Sequence, residues 1–224
     1  MWEKLYNQIK EYPIDFISHF GSLIPVFVGL FNYRWIAKEQ RIGLLLFFFY
    51  FVKDTYSLWL SLHSHNNLYV QNIQAIIELL FIGLLYNAHF PTKNKKRTVA
   101  ILVCLSTPLL LFYYKQDAVS PEIQSIFRVF SIAVCLLYFY SLIDRMIVRN
   151  ILTYSMFWIT SGLLIYTAGT FFIFLFGEYI YNPKEVSDDV FDFFWNTSQL
   201  LFMIFCLFFS VGLWFGRYDH ENVV

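Results

Sequence analysis

Apolar positions run almost unbroken through seven windows of the chain, 14–33, 42–62, 67–88, 98–114, 124–144, 154–177 and 191–215. Short polar stretches separate them. A helix needs about 20 mostly apolar residues to cross the hydrocarbon core of a bilayer, and each window reaches or approaches that length. The breakers fall between windows: Asn66-Asn67, Pro91, Pro121 and Pro183. The connectors are too short to fold as soluble domains. The pattern therefore predicts an all-α integral membrane protein, a seven-transmembrane-helix bundle forming one domain over residues 1–224, with Pro25 and Pro108 kinking the first and fourth spans.

The direction of the spans follows from Lys and Arg in the short loops. Arg34, Lys38, Arg41, Lys93, Lys95, Lys96, Arg97, Arg145, Arg149 and Arg217 fall on one side. Lys4, Lys10, Lys115 and Lys184 fall on the other, where Glu178, Glu185, Asp188 and Asp189 make the 178–189 loop acidic. That bias puts the N-terminus outside and the C-terminus in the cytoplasm. Spans one to three and five to seven then run alike, with the fourth as a linker. An Asn and a Gln early in both "YVQNIQAIIELLFIGLLY" and "FFWNTSQLLFMIFCLFFSVGLW" are a faint echo of a 3+1+3 pseudo-repeat.

Composition agrees with the membrane reading. Hydrophobic residues make up 58% of the chain and charged ones 14%, against about 25% charged in ordinary globular chains. The formal net charge is zero, so nothing draws the protein to nucleic acid. Cys104, Cys135 and Cys206 lie inside apolar runs without CxxC spacing and read as small buried hydrophobes. Glu3, Lys4, Lys10 and Glu11 precede the first run with no small-residue cleavage site, which is unlike a signal peptide. "HSHNN" at 63–67 reads as a solvated turn rather than a metal site. No metal or other cofactor is expected.

The candidate chemistry lies in polar residues inside the spans. Glu78 falls near the middle of the third span, where a bare charge costs about 2.5–3.5 kcal/mol on insertion scales. Gln71, Gln74 and Glu78 share one helix face, as do Asp54, Ser57 and Ser61 in the second span beside Lys53. Arg128 sits about one turn inside the fifth span, Tyr166, Thr167 and Thr170 in the middle to outer half of the sixth, and Asn196 and Gln199 in the outer third of the seventh. Such residues face the bundle interior, because lipid offers no hydrogen bonds. The expectation is an outward-opening polar cavity with Glu78 at or near its floor. Lys53 and Arg128 are the basic residues at a depth to pair with Glu78, with Asp54 competing for them. Internal pairing that merely locks the helices is the competing reading. Gly162, Tyr166 and Gly169 form a packing face.

The topology resembles the architecture shared by G-protein-coupled receptors, microbial rhodopsins and PQ-loop sugar transporters. The absence of a lysine between Phe191 and Phe215 excludes retinal chemistry, Pro25 and Pro108 are not followed by Gln, and the third span ends "LLYNAHF" without a DRY-like triplet. The Asn72…Glu78 pattern, "FWITSGLLIYTAGTFF" and "WNTSQLLFMIFCLFFSVGLW" resemble small seven-helix proteins of the Bacteroidota often encoded near sensor histidine kinases. That resemblance implies a sensory subunit of a bacterial cytoplasmic (inner) membrane.

Three functions stand as alternatives. A receptor-like sensor would bind a small molecule in the cavity and signal through a separate cytosolic protein, such as a histidine kinase, docked on Lys93, Lys95, Lys96, Arg97, Arg145 and Arg149, with Arg34 and Lys38 nearby. A small-solute or proton-coupled transporter would use Glu78 and Asp54 as titrating groups, yet the inner half offers few polar residues to line an exit. A lipid-modifying enzyme, in the manner of lysoplasmalogenases, is the least favoured, since His19 and His89 lie at opposite ends of their spans.

Overall fold

The computed structural model describes residues 2–145, 148–180 and 185–219. Its main elements are helices: α1 (Trp2–Glu11), α2 (Pro13–Gly21), α3 (Leu23–Phe31), α4 (Lys38–Leu62), α5 (Leu68–His89), α6 (Lys93–Phe112), α7 (Pro121–Arg145), α8 (Ser155–Leu175), the short α9 (Gly177–Ile180) and α10 (Asp188–Phe215).

Six helical segments are long and apolar enough to cross a membrane: Pro13–Phe31, Lys38–Leu62, Leu68–His89, Pro121–Asp144, Ser155–Leu175 and Asp188–Tyr218. By length and composition the chain is an integral membrane protein. The seventh window, 98–114, falls on α6. That helix starts at Lys93, so Lys93, Lys95, Lys96 and Arg97 form its first turns rather than a loop. Thr92, just after Pro91, stands in extended conformation at its N-cap, and Lys and Arg are good helix formers. Pro108 leaves α6 continuous.

The first span is two helices, broken at Ser22. Pro25 has no N–H to offer the carbonyl four residues earlier, that of Gly21, and its ring crowds that carbonyl. Ser22 covers the break, with its N–H donating to Ser18 O and its hydroxyl to His19 O at 2.6 Å. α7 begins cleanly: Pro121 occupies the first helical position, and Ser120 Oγ accepts from Ile123 N at 3.3 Å.

The long helices pack in a closed circuit, with α2 and α3 against α4, then α5, α7, α8 and α10, which returns to α2 and α3. α6 lies outside, against α5 and α7, and buries only Val99 and Leu110. α8 and α10 pack closely. A Cβ on Gly162 would meet Phe208 Cβ at 2.5 Å, and one on Gly212 would meet the Ser155 carbonyl at 2.8 Å. Gly162 and Gly169 thus form the packing face expected from their spacing, and the partner is α10.

α1 is amphipathic, with Trp2, Leu5, Tyr6 and Ile9 on one face. Trp2, Tyr6 and Ile9 are exposed, while Lys4 Nζ donates to Ser64 Oγ at 3.1 Å and Gln8 Nε2 to Ser61 Oγ at 2.6 Å. The helix is therefore tied over the end of α4.

A candidate binding cavity at the N-terminal end of the bundle

A cavity of about 260 Å³ opens inside the circuit at the end that carries the N-terminus. α4 contributes a stripe of Tyr50, Lys53, Asp54, Ser57 and Ser61, and α5 contributes Gln71 and Gln74. α7 and α8 add Gln124, Arg128, Tyr166 and Phe174, while α10 supplies Trp195, Ser198, Gln199 and Phe202. Gln8, Tyr12, Asp15, Ser18 and His19 close the remaining wall.

The charged groups are engaged within the protein. Lys53 pairs with its neighbour Asp54, so it is not the partner of Glu78. Trp195 Nε1 donates to Asp15 Oδ1 at 2.8 Å. Arg128 is held inward at 2% exposure rather than reaching out to the surface. Its Nε donates to Thr170 Oγ1 at 2.8 Å, and its Nη1 donates to Gln124 O at 2.9 Å and to Gln124 Oε1 at 2.8 Å. The face of Phe174 lies 3.7 Å from the guanidinium carbon. His19 Nε2 is 3.1 Å from Thr55 Oγ1.

Glu78 is 2% exposed and lies behind the cavity wall rather than on it. Its Oε1 accepts from Gln74 Nε2 at 2.6 Å. Among the described residues it has no basic group within 4.0 Å, although Arg128 and Lys53 both exert an electrostatic attraction on it. The Tyr50 hydroxyl, in a residue 1% exposed, is buried beside Glu78 and interacts with it through charge and a long side-chain hydrogen-bonding contact. Gln8 Oε1 is buried with no hydrogen-bond partner among the described residues. The cost of leaving a buried polar group unpaired is about 1–3 kcal/mol.

Of the residues singled out by sequence, Gln71, Gln74, Asp54, Lys53, Arg128, Tyr166 and Gln199 come together on the wall. Glu78 and Thr170 stand one layer behind, and Asn196 is off the wall, half-buried. Gln199 Oε1 accepts from Ser18 Oγ at 2.7 Å, an interhelical bond from α2 to α10. Asn72 is a clamp for the 113–120 loop. It donates to Lys115 O at 2.6 Å and Ala118 O at 2.8 Å, and accepts from Ser120 N at 2.9 Å. Sequence reasoning missed Gln8, Tyr12, Asp15, Tyr50 and Gln124. The Trp2, Leu5, Tyr6, Ile9 periodicity was the available signal for α1 and hence for Gln8.

Below the cavity, the bundle is filled by rings. Phe47 lies 4.5 Å from Phe209 and 5.1 Å from Phe205, and Tyr50 lies 5.2 Å from Phe202, between centroids. Phe47, Phe202, Phe205 and Phe209 are all buried.

At the opposite end, α4, α8 and the C-terminal turn are knitted together. Gln40 Nε2 donates to Asp219 Oδ2 at 2.9 Å and to Ser155 Oγ, while Gln40 Oε1 accepts from Ala37 N at 2.8 Å. Ser155 N donates to Asp219 Oδ1 at 2.9 Å, and Ser155 Oγ to Asp219 Oδ2. Burial raises the Asp219 carboxyl above its ordinary 3.8, and the bonds from Ser155 and Gln40 pull it partly back. Arg217 Nη2 donates to Asn32 Oδ1 at 2.7 Å, and His89 Nδ1 is 3.2 Å from Glu39 Oε1. The basic residues Lys38, Lys93, Lys95, Lys96 and Arg97 begin α4 and α6 at this end. The Arg145 side chain and Lys184 lie outside the described residues.

Comparison of the chain with protein-family models, curated proteins and solved structures finds no match.

Proposed function

We propose that the protein is a receptor-like membrane sensor that binds a small molecule in this cavity and signals through a separate cytosolic protein. The observation that carries this reading is the cavity itself: polar, open at one end of the bundle, and floored by packed aromatic rings. A ligand there can bias helix positions if it binds one arrangement better than another. In this proposal α6, twenty residues long and rising about 30 Å, completes a seven-helix bundle. The cavity end faces outward and the basic end the cytoplasm, in a bacterial inner membrane, with α6 as the linker of a 3+1+3 arrangement.

The cytosolic partner, of which a histidine kinase is the leading candidate, docks on Lys93, Lys95, Lys96, Arg97, Arg145 and Arg149. Crosslinking from native membranes in mild detergent, followed by mass spectrometry, tests this. Stoichiometric recovery of a signalling protein, lost when Lys93, Lys95, Lys96 and Arg97 are neutralised, is the expected result. Recovery of the chain and lipid alone would turn the reading to transport. Loss of pH-driven uptake into proteoliposomes in Glu78→Gln would then support Glu78 as the titrating group.

A further inference from the structure

α1 is amphipathic in the reverse of the sense expected for a helix packed in water. Its contacts with α4 and the turn that follows are polar: Lys4 Nζ donates to Ser64 Oγ at 3.1 Å and Gln8 Nε2 to Ser61 Oγ at 2.6 Å. Its apolar stripe, Trp2, Tyr6 and Ile9 at i, i+4 and i+7, is left open, with Trp2 77% and Tyr6 68% exposed. Leu5 is half-buried between the two faces. In water such a stripe would turn onto the protein, because burial of that stripe is what stabilises an amphipathic helix. A helix of ten residues is marginal without it.

Exposed Tyr and Trp side chains locate the membrane around the bundle. Among the described residues beyond α1, they all lie in the loops or within two turns of a helix end, such as Tyr12, Trp59 and Tyr113 at the cavity end and Tyr33, Trp35 and Trp214 at the other. Between the ends, the large exposed side chains are apolar, as at Phe48, Val52 and Leu84. Rings with one apolar body and one polar tip gather at the two membrane–water interfaces. Ser61, which holds Gln8, shares the last turn of α4 with Trp59, so α1 sits at the level of the cavity-end belt. The helix breaks before α2, where Pro13 has no N–H for the Ile9 carbonyl and keeps Tyr12 out of helical geometry. α1 is thus not a continuation of the first span.

From this placement we infer that α1 is an interfacial membrane helix. Trp2, Tyr6 and Ile9 enter the boundary between headgroups and acyl chains at the cavity end, continuous with the lipid-facing surface of the bundle. The polar side carries Glu3 and Glu11 as well as Lys4 and Lys10, so burial of the apolar stripe holds the helix there, not attraction to anionic headgroups. Gln8 and Tyr12 line the cavity, so the bilayer seats one wall of its mouth. The inference holds whether or not the cavity takes a ligand.

The test uses the full-length protein in nanodiscs of phosphatidylcholine alone, with Cys104, Cys135 and Cys206 replaced by Ala. A nitroxide is attached in turn at Tyr6→Cys, Ile9→Cys, Asn7→Cys and Lys10→Cys, all exposed positions where substitution leaves the fold intact. Collision with oxygen, which concentrates in lipid, is compared with collision with a neutral nickel chelate, which stays in water. The expected ratio of oxygen to nickel collision is several-fold higher at Tyr6 and Ile9 than at Asn7 and Lys10. Ready access of nickel to all four positions would put α1 in water and overturn the inference. Shielding of Tyr6 and Ile9 from both reagents would mean that protein, such as a second copy of the chain, covers the stripe, and would overturn it too.

Discussion

At the N-terminal end, the bundle keeps open a polar-lined cavity of about 260 Å³. At the opposite end, Gln40 uses both ends of its amide and Asp219 accepts on both oxygens. Among the described residues, Thr92 Oγ1, Tyr138 Oη and Arg217 Nε are unpartnered there, the last two in groups packed on rings. The Arg217 guanidinium carbon lies 3.9 Å from the Trp214 ring, and Tyr138 lies 5.3 Å from Phe139, each measured to the ring centroid. The difference teaches where the molecule gives up stability. One end joins α4, α8 and the C-terminal turn through a hydrogen-bonded network, and the other keeps a polar-lined cavity open, as binding sites do at a cost in stability.

The largest effect expected from disturbing this arrangement is at Arg128, which braces the cavity wall. Arg128→Leu removes a buried charge that makes three hydrogen bonds among the described residues, and should cost about 3–5 kcal/mol in unfolding free energy. Chemical unfolding in nanodiscs measures it. A loss under about 1 kcal/mol would mean that Arg128 is solvated rather than braced. Gln40→Ala comes next. It breaks the bonds to Asp219 and Ser155 at the other end, with an expected loss of about 1–3 kcal/mol by the same measurement.

Asp219 sharpens the comparison through pH. Its folded carboxyl is held above the ordinary 3.8, so the folded state keeps its proton more tightly than the unfolded state does. Stability should therefore fall as pH rises from about 3.8 through the raised value, by at most about 1.4 kcal/mol per pH unit. Asp219→Asn should remove that slope, and an unchanged slope would assign it to another group. The smallest effect belongs to Tyr50→Phe without ligand. Removing the hydroxyl from its contact with Glu78 should cost about 1 kcal/mol, read as a fall in unfolding temperature.

Local patterns made much of this legible in the sequence. The long apolar windows marked the helices, and i, i+3, i+7 spacing placed Asp54, Ser57 and Ser61 on one wall and Gln71 and Gln74 on another. Glu78 shares its face with the two glutamines but lies one turn deeper, so depth along the helix separates a wall residue from one behind it. The partner of Lys53 turned out to be its immediate neighbour, which a depth argument passes over. The contacts joining Gln40, Ser155 and Asp219 connect positions far apart in the chain. No periodicity encodes such contacts. Gln8 and Tyr12 were hidden because α1 is too short and polar to register as a span.

The most direct test of the account is side-specific thiol labelling in intact cells, with Cys104, Cys135 and Cys206 first replaced by Ala. Ser61→Cys lies at the cavity mouth and Lys95→Cys at the basic end. A membrane-impermeant reagent added outside should label Ser61→Cys and leave Lys95→Cys untouched until the membrane is opened. Labelling of Lys95→Cys from outside, with Ser61→Cys protected, would invert the bundle and contradict an outward-facing receptor.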